Sequence, residues 1–273
     1  MSESQIFELK QSLSSTLSIA SNIFCTNAQQ LTSFESTIFK CFNLAPEPLV
    51  SVDQVNQWCT RNTNGKITEI IDSIIGIECI LLSAVHFKAN WAFKFDKRST
   101  KNAAFTGFAS NSSVQMMRMS RKLQYAQTAS AQIVRLDYTA QLSALIILPL
   151  QNNIKAFQAA LTFENISTSL TEAQVVLELP KFKVSSKLNL LKHLQQLNIS
   201  KIFSINGLKI NEITQKTIVE VNEEGTEAAS VTKMATKCAR RPEELKVLKC
   251  DKPFWFVICG RENDVVFVTS IVE

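Results

Sequence analysis

Val219-Glu-Val-Asn-Glu-Glu-Gly-Thr-Glu-Ala-Ala-Ser-Val231 decides how the rest of the chain is read. The stretch opens as a strand, bends at Gly225 and continues in small residues that fit an extended strand without compelling one. Alternate positions sort by chemistry. Thr226, Ala228, Ser230, Thr232, Met234 and Thr236 share one face, and Glu227, Ala229, Val231, Lys233, Ala235 and Lys237 share the other. The first set is small or uncharged; the second holds every charge. That is the period-two pattern of a half-buried strand. A segment fit for burial in a sheet yet weakly committed to one reads as a mobile loop, with Gly225 supplying the backbone freedom at its root.

Working outward, the 273 residues are 45% hydrophobic and 19% charged, an ordinary globular composition with ample core. The runs Cys79–Phe87, Leu142–Leu150 and Phe254–Cys259 are too short to span a bilayer and read as buried strands. The net charge of +5, from 29 basic and 24 acidic residues, is spread without a run of like charges. Aromatic and basic residues do not interleave, so neither nucleic acid nor a membrane is expected as a partner. Cysteines at 25, 41, 59, 79, 238, 250 and 259 form no Cys-x-x-Cys, which argues against a zinc site or a thioredoxin-type motif. Free thiols and an N-terminus without an apolar stretch predict a cytoplasmic protein, or a secreted one if the natural start lies upstream. Sequons at Asn111, Asn165 and Asn198 matter only in the second case.

Catalytic chemistry finds little support. The two histidines, His86 in an apolar strand and His193 on an amphipathic helix, read as structural. No stretch sets a nucleophile beside an oriented base, and no phosphate loop or metal-ligand cluster appears. No enzyme, cofactor or metal is expected. Cys238, inside the loop and without a partnered base, reads as a recognition side chain or a redox liability.

Strands are expected at Leu17–Thr26, Glu78–Trp91, Gln115–Arg118, Ala131–Asp137, Ser143–Leu148, Val175–Val184, Thr217–Glu223, Pro253–Cys259 and Asp264–Ile271, the last two joined by a turn at Gly260–Asn263. Helices are expected at Gln30–Phe42, Val52–Arg61, Ile154–Leu161 and Leu188–Leu197, the second closed by a turn at Asn62–Gly65. The class is mixed α and β, in one domain of residues 1–273.

Several blocks around the loop resemble the serpin family. Val55-Asn-Gln-Trp58 with Asn62-Thr-Asn-Gly-Lys-Ile67 resembles a helix end and its turn. Phe87-Lys-Ala-Asn-Trp91 resembles the central strand that ends in a tryptophan at the top of the family's main sheet. Leu179-Pro-Lys-Phe182 is a weaker marker, and Leu248-Lys-Cys-Asp-Lys-Pro-Phe-Trp-Phe-Val-Ile258 is similar to the C-terminal signature. The blocks keep the family's order from about residue 17 onward. Three departures stand out: the resemblance lacks the N-terminal helical block, Gln215 replaces a histidine before Lys216, and Phe267-Val-Thr-Ser270 replaces Phe-x-Gly-Arg.

The resemblance implies an α+β serpin fold, with a large mixed main sheet, second and third sheets and surrounding helices. It implies a reactive-centre loop at about residues 224–247. Glu224, Gly225, Thr226, Glu227, Ala228, Ala229, Ser230 and Thr232 would form its hinge and inserting part, and Trp91 would stand at the sheet top. Counting along the loop puts the reactive bond at Ala239–Arg240, or one residue on at Arg240–Arg241; Arg241–Pro242 is a poor site because Pro crowds the leaving side. The implied activity is suicide inhibition of a serine or cysteine protease by a monomer, the cleaved loop entering the main sheet as a strand. Serpin loop insertion is itself the standard example of such strand addition, so this step comes with the resemblance and not from the residues. The alternatives are a non-inhibitory, shortened serpin-fold binding protein or protease substrate, and an incomplete chain that folds poorly.

Overall fold

A computed structural model of the chain describes residues 17–27, 46–87, 89–139, 142–198, 204–205, 208–225, 244–260 and 264–273. In chain order the strands are β1 Leu17–Cys25, β2 Glu47–Pro48, β3 Cys79–Phe87, β4 Lys101–Thr106, β5 Asn111–Gln127, β6 Ala131–Asp137, β7 Ser143–Pro149, β8 Thr171–Pro180, β9 Phe182–Asn189, β10 Ser204–Ile205, β11 Leu208–Val221, β12 Lys246–Lys249, β13 Phe254–Cys259 and β14 Val265–Ile271. The helices are α1 Val52–Asn62, α2 Ile154–Ala160, α3 Phe163–Ser167 and α4 Leu191–Gln196. These pack as two compact units, one of residues up to 88 with 183–219, the other of 89–182 with 220–273.

The first unit is built on a six-stranded mixed sheet in the order β10-β11-β3-β1-β2, with β9 also on β11. β1 and β3 are antiparallel over their whole length, from Leu17↔Phe87 to Cys25↔Cys79. β3 and β11 run parallel, from Cys79↔Ile210 to Phe87↔Val219, with one register shift near Ile210. Helix α1 covers one face. It starts where the Ser51 hydroxyl accepts from the Gln54 amide at 3.1 Å, carries Asp53 in its first turn and Arg61 in its last, and ends in left-handed Asn64 and Gly65. Val55, Trp58 and Cys59 point into a core with Phe24, Ile80, Leu82, Ala84, Ile70, Ile71 and Ile218. Phe24 meets Trp58 edge-on at 5.7 Å. Each buried Val, Leu, Ile or Phe side chain of this set stabilises the unit by roughly 1.5–3 kcal/mol through burial. The opposite face has a smaller cluster of Cys25, Cys79, Ile210 and Ile213 under Leu190, Leu191 and Leu194.

The second unit holds the order β12-β8-β5-β6-β7-β13-β14, with β4 on β5. β12 is parallel to β8; the other pairs are antiparallel. The expected second and third sheets are continuous here, because β5 is 17 residues long where only Gln115–Arg118 is expected from sequence. Its first part pairs with β4 and β8 and its last with β6. All seven residues of β7 are buried, which requires cover on both faces. One cover contains α2, whose Phe157 stacks on Trp255 at 4.4 Å and accepts the indole N–H through its carbonyl at 2.8 Å. The stretch expected as one strand at Val175–Val184 is two. Pro180 closes β8, and the Lys181 amide turns to the Gln115 carbonyl. The expected helix Gln30–Phe42 lies outside the described residues.

Candidate functional site

The root of the loop is built entirely within the second unit. Past Val221, the Asn222 amide donates to the Gly225 carbonyl at 3.0 Å and the Gly225 amide donates to the Asn222 carbonyl at 3.2 Å. That closes a two-residue hairpin over Glu223 and Glu224, steadied by the Asn222 side chain accepting from the Glu224 amide at 2.9 Å. Gly225 has φ +119°, and a Cβ there would collide with the backbone of Ala89, Asn90 and Trp91. Only glycine fits. It is bridged on both flanks, antiparallel to Asn222 on one side and to Asn90 on the other.

Trp91 is the wall against which this hairpin rests. It is almost fully buried, its amide donates to the Glu224 carbonyl at 3.0 Å, and its indole N–H donates to the Asn222 carbonyl at 3.0 Å. The ring stacks on Tyr138 at 4.3 Å and meets Phe95 edge-on at 6.4 Å. Burial holds the Tyr138 phenol well above its ordinary pKa, so the stack is neutral.

Two carboxylates divide the charge of the turn. Glu223 is buried; its carboxylate accepts from the Thr100 hydroxyl at 2.8 Å and pairs with Lys181 at 3.2 Å. Burial pushes its pKa up, but its own backbone amide, Thr100 and Lys181 together leave it below the usual carboxylate range. Glu224 is more exposed and lies between Lys94 at 2.6 Å and Lys97 at 3.1 Å, whose hydrogen bonds hold its pKa down. The Phe95 amide also donates to the Glu223 carbonyl at 2.9 Å. Segments distant in sequence therefore converge on this one turn.

Of the site residues expected from sequence, Trp91, Glu224 and Gly225 are brought together. Thr226, Glu227, Ala228, Ala229, Ser230, Thr232, Ala239, Arg240 and Arg241 lie outside the described residues, as does Cys238. Among the described residues after 243, the first strand is β12 from Lys246. Sequence reading missed Glu223, Lys181, Thr100 and Tyr138. The first had a signal: period two places Val219, Val221 and Glu223 on one face, and a carboxylate on a buried face needs a cation or donors beside it. His86 is buried in β3, and His193 sits in α4 with a ring nitrogen 3.2 Å from the Asn189 carbonyl.

Comparison with known proteins sets this geometry in context. The family described as Serpin (serine protease inhibitor) matches residues 2–273. Iripin-2 of Ixodes ricinus is 32% identical over 268 residues, covering 88% of this chain and 68% of that protein. The chain spans 55–68% of the length of the first five curated relatives it matches. Two crystal structures agree in fold, each at TM-score 0.86 and 21% identity: Serpin48 of the insect Tenebrio molitor, covering 99% of this chain and 80% of that one, and human thyroxine-binding globulin, covering 99% and 79%.

Proposed function

This chain belongs to the serpin family, and from that premise we propose that it is a suicide inhibitor of serine or cysteine endopeptidases. The observation that carries the proposal is the double bridge at Gly225, flanked by Asn222 and Asn90. Asn222 continues β11 and Asn90 follows β3 in sequence. The first residue after the turn thus already makes the pairing that an inserting strand would extend.

The chain direction fits the same step. β3 and β11 are parallel neighbours, and a segment leaving β11 by a tight hairpin runs antiparallel to both. Insertion would replace one parallel ladder by two antiparallel ones, which are slightly more stable per residue. The protease attacks the carbonyl of Ala239, or of Arg240 in the shifted register, and the new amine departs with the C-terminal side. The acyl-enzyme then travels with residues 226 onward as they enter the sheet. Thr226, Ala228, Ser230, Thr232, Met234 and Thr236 take the inward face, where a charge would be prohibitive. Lys233 and Lys237 stay hydrated on the other.

The test is incubation with elastase-, trypsin- and papain-like proteases, read on a denaturing gel. A covalent complex at the summed mass, with cleavage within Lys237–Arg241, is expected for at least one of them. Clean cleavage in that segment by all, without a complex, would assign the chain to the non-inhibitory members of the family.

A further inference from the structure

Cys25 and Cys79 face one another as the last pair of the β1–β3 ladder. The backbone tells which kind of pair this is. The Thr26 amide donates to the Glu78 carbonyl at 2.8 Å, just beyond it. The Cys25 carbonyl accepts from the Leu49 amide on the other flank of β1, and the Cys79 amide is directed to the Asn211 side chain at 3.4 Å. Neither cysteine uses its backbone groups on the other. The pair is therefore the non-hydrogen-bonded kind, whose opposed Cα atoms lie about 4.5 Å apart and whose side chains come closest. That separation falls within the disulfide window of about 4.4–6.8 Å. The two thiols also perturb one another, Cys79 holding the Cys25 pKa down while Cys25 and burial push that of Cys79 up. Cys59, Cys250 and Cys259, the other described cysteines, face no cysteine in any ladder.

We propose that Cys25 and Cys79 are a redox-reversible modification site, forming a cross-strand disulfide when the protein meets a low-molecular-weight disulfide such as oxidised glutathione. The Cys25 thiolate attacks one sulfur of the oxidant, giving a mixed disulfide and releasing one glutathione thiolate. Cys79, after losing its proton to that thiolate or to solvent, attacks the Cys25 sulfur and releases the second. Two protein thiols are oxidised and one small disulfide is reduced to two thiols. Both side chains are buried, but the pair sits one rung from exposed Glu78 and Thr26, where a ladder opens most readily. The link closes the stretch that carries α1 and ties β1 to β3. The other edge of β3, where Cys79 stands opposite Ile210, keeps its pairing to β11.

The experiment uses the intact chain equilibrated in oxidised glutathione, then alkylated and digested without reduction for mass spectrometry. A Cys25–Cys79 linked peptide lacking two hydrogens should dominate, and the unfolding midpoint should rise by roughly 3–7 °C and return on reduction. Cys79→Ser should lose both the linked peptide and the rise. Recovery of both cysteines as free or glutathionylated thiols from the folded chain would overturn the proposal. So would a linked peptide that forms only after unfolding in urea.

Discussion

Glu223 stands on the face that Val219 and Val221 bury, and its carboxylate is stabilised there by its own backbone amide, Thr100 and Lys181. Replacing it by Gln keeps a partner for Thr100 and removes the charge-assisted bond to Lys181. A loss of roughly 1–2 kcal/mol in unfolding free energy is expected from denaturant titration. The pH dependence has a definite sign. Glu223 and Glu224 both have folded pKa values below the ordinary range, so their contribution is fully present above the unfolded value of about 4.3 and is lost as pH falls through the folded values. The thermal midpoint of the native protein should therefore fall more steeply below about pH 4 than that of Glu223→Gln. Equal slopes would mean that the Glu223 ties contribute nothing. Trp91, Glu224 and Gly225 were legible in the sequence because short motifs mark them. Thr100, Lys181 and Tyr138 were not, because they come from distant segments and single residues give no periodic signal.

At the scale of elements, β11 and its hairpin set the direction in which the following segment would enter a sheet. The alternating pattern from Thr226 to Lys237 then decides what an inserted strand would bury. Ala228→Glu places a carboxylate on the inward face, and Thr226→Arg a guanidinium. Either variant should form at least about 10-fold less covalent complex with a susceptible protease, while its circular dichroism and uncut melting midpoint stay unchanged. Undiminished trapping would remove the insertion mechanism. Element legibility followed the strength of the pattern. The buried run Ser143–Leu148 and the helix Val52–Arg61 were readable, each ending one residue short of β7 and α1, whereas the Ser51 cap was not read. β5 was read too short because its ends, Asn111–Ser113 and Gln124–Gln127, are largely polar, and their pairing with β4 and β6 is tertiary. α3 was missed because a five-residue helix spans little more than one turn and shows no repeat.

Across the whole molecule, the α+β class and the serpin membership were available from ordered motif blocks, whereas the continuity of the second unit's sheet through β5 was not. Inhibition as proposed requires that the loop, once cut, become a strand between β3 and β11. An inserted strand would add hydrogen bonds on both sides and bury an uncharged face, a gain on the order of 5 kcal/mol or more. For a chain of this size that corresponds to a rise in melting midpoint of roughly 10 °C or more. Circular dichroism melting before and after limited proteolysis within residues 226–243 measures it directly. A rise of that size on cleavage is the predicted result; a midpoint that stays where it was, with the loop cut, contradicts it.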